Sequence, residues 1–128
     1  MKKLGSVVAN IIPVKRRERF SKFGAPYTPK ETECEEREIA RLYKGAKSSG
    51  PVRVTIRASS PLPKSRPNRV ESEPLTIAPD IDNIAKAVLD ALNEIAYDDD
   101  AQVVELHVYK HARTRGVGPC TRVEVEEL

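Results

Sequence analysis

The chain is 128 residues long, 39% hydrophobic and 32% charged, with a formal net charge of +3. That length suits a single domain over residues 1–128 with a core of modest size. No apolar run approaches the roughly 20 residues of a membrane span and no signal peptide stands at the N-terminus. Cys34 and Cys120 fit neither a zinc pattern nor a disulfide framework, so a cytoplasmic location is expected. Trp is absent and aromatic residues make up 5%, which argues against recognition by stacking on many unpaired bases. Charge is unevenly placed: residues 1–79 hold 17 Lys and Arg against 8 Asp and Glu, a net +9, whereas residues 80–128 hold 5 against 11, a net −6. A basic half beside an acidic half points to a polyanionic partner.

In chain order, Ser6 to Ile12 reads as a short apolar strand stopped by Pro13. A basic loop follows with Lys15, Arg16, Arg17, Arg19 and Lys22, closed by Gly24 and Pro26. From Thr28 or Pro29 to Lys47 a helix is predicted, with Ile39, Leu42, Tyr43 and Ala46 as its apolar face and a glutamate-rich start suited to the helix dipole. Val52, Val54, Ile56 and Ala58 alternate with Arg53, Thr55 and Arg57, which gives a strand with one buried and one basic face. Ser59 to Ala78 has no regular pattern; its prolines stiffen a long loop bearing Lys64, Arg66 and Arg69, placed to meet a phosphate backbone or simply mobile.

A second helix starts at Pro79 and Asp80, and Ile81, Ile84, Ala85, Val88, Leu92 and Ile95 form its buried stripe. Asp82, Lys86 and Asn93 then face solvent. Beyond it comes the run Asp98-Asp99-Asp100. Val104, Leu106 and Val108 alternate with Glu105, His107 and Tyr109 as a third strand, and Arg113 to Pro119 connects flexibly to a last strand in which Thr121, Val123 and Val125 share a face.

The acidic residues around the second helix carry the chemistry. A carboxylate in a first turn is held ionised by the free amides and the helix dipole, and ionised carboxylates are what a hard divalent cation requires. Asp80 and Asp82 are two apart at the helix start, Lys86 lies one turn after Asp82, and a second acidic cluster precedes a strand. Phosphodiester cleavage uses such parts: carboxylates to hold metal, and a nearby cation for the developing charge. The bland alternative makes Asp80 an N-cap and residues 98–100 a solvated turn. His107 and His111 share the outer face of their strand with no acidic orienting partner, and are read as exposed strand positions.

These residues carry a family resemblance. The run PDIDNIAKAVLDALNEIAYDDDAQVVEL, with Lys110 shortly after it, resembles the central signature of the RusA-type Holliday junction resolvases, small enzymes common in phages and prophages. The opening IIPVKRRERFSKFGAPYTPKET is similar to that family's basic N-terminal piece. The resemblance implies that Asp80, Asp82 and Asp100 bind metal and that Lys86 is the essential lysine, with Asp99 able to substitute for or assist Asp100. It further implies a homodimer that cuts two strands of a four-way junction with Mg2+ or Mn2+, and no organic cofactor. Ala78 departs from a position where relatives often carry a basic residue.

The expected architecture is an α+β two-layer sandwich, a small mixed sheet with two helices on one face in the order β-α-β-α-β-β. The expected function is a metal-dependent endonuclease for branched DNA in recombination and repair, with Lys15, Arg16, Arg17, Arg19, Lys64, Arg66, Arg69 and Lys110 on the DNA. Rivals are a catalytically silent junction-binding protein and a nuclease for flaps or single strands. A third ligand at Asp100 within the same chain needs the second helix to end near Leu92 or Asn93; otherwise the partner subunit supplies it. The shortened helix with a ligand from the same chain is the preferred version.

Overall fold

The computed structural model describes residues 2–128 and has the expected α+β architecture. Its principal elements run β1 (Lys2–Ala9), α1 (Lys30–Leu42), β5 (Val52–Ser59), α2 (Ile81–Ala91), β7 (Val103–Lys110) and β9 (Cys120–Glu127). Short strands fill the connections: β2 (Arg19–Phe20), β3 (Pro26–Tyr27), β4 (Lys44–Gly45), β6 (Ser72–Glu73) and β8 (Arg113–Thr114). The main sheet has the order β4-β1-β9-β5-β7. It is mixed, because β5 and β7 run parallel while β1, β9 and β5 pair antiparallel. The parallel step follows from α2, which carries the chain back across the sheet.

Alternation sorts the sheet into two faces. Val7, Ala9, Val52, Val54, Ile56, Ala58, Val123 and Val125 are buried against Ile39 of α1 and against Ile84, Val88 and Leu92 of α2. The other face carries Arg53, Thr55, Arg57, Arg122, Glu124 and Glu126 and no layer covers it. Lys3 and Arg53 both sit opposite Glu126, so opposite charges help fix the register. Gly5 lies beneath Tyr43, whose ring occupies the space a Cβ would need.

Several boundaries differ from the sequence reading. β1 begins at Lys2 and ends at Ala9, because the β9 ladder takes Lys2 to Ala9 and leaves Ile11 to accept a hydrogen bond from the Thr121 hydroxyl at 2.7 Å. α1 stops at Leu42: Tyr43 turns extended and the chain enters β4. Ala46 is therefore exposed rather than part of a helical face. In α2, Ile84, Ala85, Val88 and Leu92 are buried as expected, but Ile81 and Ile95 stand 44% and 40% exposed.

The long proline-rich segment is clamped. β6 pairs with β8, Arg115 donates to the carbonyls of Pro67 and Val70, and Glu73 binds both Arg66 and Arg113. The Arg66 guanidinium holds the Glu73 carboxyl below the usual glutamate range, so this clamp is charged at neutral pH. Cys34 and Cys120 are free thiols, and no helix among the described residues is long and apolar enough to cross a membrane.

Candidate active site at the start of the second helix

Asp80 is the N-cap of α2, with extended φ/ψ of −71° and 144°, yet its side chain makes no capping hydrogen bond. The cap's usual task is left undone and the carboxylate stays exposed. Asp82 lies in the first turn, also exposed, and Lys86 follows one turn later on the same side. Among the described residues none of these three takes a charged partner within 4 Å, although lysines and arginines elsewhere in the chain do. The helix start thus presents two carboxylates, with a lysine on the face of the second, that the described residues leave free for an outside ligand.

The approach to Asp80 is held from β7. The Lys110 ammonium donates to the carbonyls of Ile77 at 2.9 Å and Pro79 at 2.8 Å, which ties the end of the edge strand to the segment leading into the helix. Lys110 is thus a positioning residue for Asp80 in the structure, a role beyond the phosphate contact expected from the sequence. For the endonuclease expected from the sequence, Lys110→Met is expected to lower junction cleavage by about 100-fold, because small misplacements of reacting groups cost that much, while affinity for the junction stays within a few-fold. A rate near that of the native chain, read in single-turnover cleavage, would show that the tie positions nothing.

The second acidic cluster is built differently. A 3-10 turn (Asp100–Gln102) precedes β7, and Asp99 caps it by accepting from the Ala101 amide at 3.0 Å. Gln102 accepts from the Asp98 and Asp99 amides at 2.7 and 3.0 Å and donates to the carbonyls of Ser48 and Gly50 at 2.9 and 2.8 Å. This glutamine anchors the cluster and was not singled out from the sequence; its signal was the capping-box spacing from Asp99. Asp98 pairs with Lys47 at 3.0 Å, which with Ser49 holds its carboxyl below the usual aspartate range. Asp99 thus has a structural task and Asp100 is the member of the trio left over.

Asp100 lies at the wrong end of α2 to join Asp80 and Asp82. The Tyr97 hydroxyl donates to the Leu89 carbonyl at 2.7 Å, and burial, then the negative charges of Asp100, Asp90 and Asp99, push that phenol well above its ordinary range. Asp100 therefore sits beside the last turns of the helix, whereas the far end of β7 is tied to Pro79. From Asp82 to Asp90 the helix advances about 12 Å at 1.5 Å per residue. Among the described residues no three His, Cys, Asp or Glu side chains converge on a common point. The helix does end early, at Ala91 with Leu92 as its cap, but the expected return of Asp100 to the same chain's site does not occur.

The basic residues divide into two sets. Lys15 binds Glu36 and Asp90 at 3.1 and 2.9 Å, Arg16 pairs with Glu35 at 2.6 Å, Arg19 lies 3.6 Å from Glu31, and Arg66 pairs with Glu73. Burial disfavours the Lys15 ammonium, but Asp90 and Glu36 outweigh it and its pKa stands above the lysine norm. Arg17, Lys64 and Arg69 are exposed, and no carboxylate pairs with them among the described residues. The sequence reading missed Phe20 and Phe23, which stand 67% and 86% exposed around the β2–β3 turn, with the Lys22 ammonium 5.2 Å over the Phe23 ring. His107 is an exposed position of β7 as expected, 3.9 Å from a Glu105 already engaged by Arg53, whereas His111 lies just past the strand, half-buried and stacked on Tyr109.

One further feature borders the acidic pair. A groove of about 420 Å³ runs between α2 and β7, lined by Ile81, Asp82, Ala85, Lys86, Leu89, Leu106 and Val108. Next to it Val104 is 60% exposed and Leu106 42%, on a strand that forms the edge of the sheet.

A small α+β domain that presents an unneutralised acidic pair and lysine at a helix start has the parts of a centre acting on phosphodiesters. The family described as Endodeoxyribonuclease RusA matches residues 10–126, and the chain belongs to that family. It is also 40% identical over 70 residues to the uncharacterized protein YqaN of Bacillus subtilis (strain 168), a match covering 48% of this chain and 49% of that protein. The chain thus spans about half the length of the curated relative it matches.

Proposed function

We propose that the protein is a metal-dependent endonuclease that resolves four-way DNA junctions in recombination and repair, acting in the cytoplasm as a homodimer by paired cleavage. The observation that carries this reading is the exposed pair Asp80 and Asp82, neither capping nor ion-paired, beside the unpaired Lys86 in a chain of the RusA family. Carboxylate oxygens are the donors a hard cation such as Mg2+ or Mn2+ takes. Asp80 and Asp82 would hold it, and when bound it supplies activated water and neutralises the scissile phosphate. Lys86 places a second positive charge one helical turn away, where it stabilises charge developing on the phosphate.

Two ligands from one chain leave the site incomplete, and the edge strand supports a remedy. β7 has an unpaired side and exposed apolar residues, a combination that single-chain proteins usually blunt. A second copy paired with it about a two-fold axis runs antiparallel, so the start of one β7 lies beside the end of the other. The partner's Asp100, just before its β7, then comes alongside Lys110 and Asp80. Val104 and Leu106 are covered in the same step. The dimer holds two equivalent centres, which suits two symmetric strands of a junction. Arg17, Lys64 and Arg69 supply phosphate contacts, and Phe20 and Phe23 offer rings to bases unstacked at the branch point.

A nicking assay tests this reading. A labelled four-way junction is expected to be cut at paired positions in Mg2+ and not in EDTA, while linear duplex of the same sequence stays intact. Tight binding without cutting under any divalent cation would instead favour a silent junction-binding protein, and equal cutting of flaps would make junction selectivity wrong.

A further inference from the structure

The sheet's open face carries a charge arrangement that no ion pair among the described residues neutralises. Arg57 on β5 sits directly opposite Arg122 on β9, with Tyr109 on its other side and Val8 beyond Arg122. Both arginines are exposed. Like charges facing one another on adjacent strands repel, and the fold tolerates this pair in the middle of its main sheet. Arg53, four residues earlier on the same face, shows the ordinary solution: it lies between Glu105 and Glu126. Arg57 and Arg122 have no carboxylate within 4 Å among the described residues; Glu124, two residues along β9 from Arg122, sits across the ladder from Thr55.

Arg57 is also pre-set. Its guanidinium lies 4.4 Å over the Tyr109 ring, and Tyr109 in turn is parallel to His111, with planes 7° apart and centroids at 6.1 Å. A guanidinium seated over an aromatic ring loses little freedom on binding, and its N–H fork suits the two oxygens of a phosphate. The row also lies at the right end of the molecule. Tyr109 precedes Lys110, whose side chain on the opposite face reaches Pro79 beside Asp80, so row and acidic pair flank the same end of the edge strand.

We infer that Arg57 and Arg122 form a second phosphate-binding surface, on which the backbone of a duplex DNA arm rests as it leaves the cleavage site. The inference rests on the nuclease reading for its choice of DNA as the polyanion. Each arginine engages one phosphate, without reading bases.

The test compares the native chain with R57Q/R122Q and R57K/R122K on a long-armed four-way junction in EDTA, by fluorescence anisotropy over a series of salt concentrations. Two lost phosphate contacts are expected to lower the slope of log affinity against log salt by about 1.8 units in R57Q/R122Q, and the lysine pair restores it. Thermal unfolding of the glutamine variant is expected at the native temperature or above, since a repulsion is relieved. Its single-turnover cleavage rate at saturating junction stays native. An unchanged slope overturns the inference, and an acidic peptide that binds the native chain but not R57Q/R122Q would then identify a protein partner. If the native chain cuts junctions while the slope does not change, only the open-face contact falls. If the slope drops as expected but no junction is cut in Mg2+, only the nuclease reading falls; failure of the native chain to bind DNA removes both.

Discussion

Replacing Asp80, Asp82 or Asp100 by Asn is expected to lower junction cleavage by at least about a thousandfold, equivalent to roughly 4 kcal/mol of transition-state stabilisation. Each change removes a negatively charged oxygen donor without altering the size of the side chain. The Asp80 carboxylate makes no cap bond and Asp82 no ion pair, so neither substitution breaks anything the fold uses. Affinity for the junction in EDTA is expected to hold or tighten, because one negative charge facing the phosphates is gone. Asp99→Asn separates the two neighbours in the acidic run: an amide oxygen still accepts from the Ala101 amide, so the turn survives and activity is expected to stay within a few-fold of native. Single-turnover cleavage and anisotropy on the same junction check all four variants. Near-native cutting by Asp82→Asn would remove the acidic pair from the chemistry, and a collapse of Asp99→Asn matched by survival of Asp100→Asn would reverse their roles.

Much of the fold was legible because its signals are local. Period-two alternation in Val52–Ala58 and Thr121–Val125 and the 3.6-residue stripe of Ile84, Val88 and Leu92 are decided within a few residues, and the main elements follow in the expected order. Pairing partners are not local. That β1 reaches back to Lys2 depends on Glu127, at the other end of the chain, and the clamp on the proline-rich loop depends on Arg113 and Arg115, some forty residues beyond it. The early end of α2 could be inferred only from the reach that Asp100 would need, because the sequence carries no stop signal there. The turn after it uses Glu94 at φ 66° with no glycine, and the Glu94 amide donates to the Tyr97 carbonyl at 2.7 Å, so no punctuating residue marks the stop.

The site divides in the same way. Asp82 and Lys86 share one helix face by spacing alone, and Asp80 at the helix start could be read beside them. The place of Asp100 depends on which way β7 runs relative to α2, a property of the strand order that no spacing reveals. Alternation also presented Val104 and Leu106 as core residues, since a strand pattern gives the apolar face but not whether this chain covers it. Their exposure is the observation behind the proposal that a second copy supplies the third carboxylate.

Mixing chains decides whether the third carboxylate crosses between subunits. If Asp100 serves the partner's site, a heterodimer of one Asp82→Asn chain and one Asp100→Asn chain contains one centre lacking both residues and one with its full set. Each homodimer is inactive, yet the mixture is expected to recover nicking of one strand per junction, at about half the native rate when allowance is made for the half of dimers that are mixed. If Asp100 served its own chain, every centre would lack a ligand and the mixture would be as silent as its parents. The arrangement of β7 favours recovery: its far end is tied to Pro79 through Lys110, while Tyr97, three residues before Asp100, donates to the Leu89 carbonyl about 10 Å along the helix from Asp82. Val104→Lys in both chains supplies the control. Val104 is 60% exposed on the same edge and does not line the groove that holds Asp82, so the change is expected to separate the dimer in sedimentation, leave the monomer folded, and abolish both native cleavage and recovery in the mixture. A monomeric Val104→Lys protein that still cuts junctions would establish a complete centre within one chain.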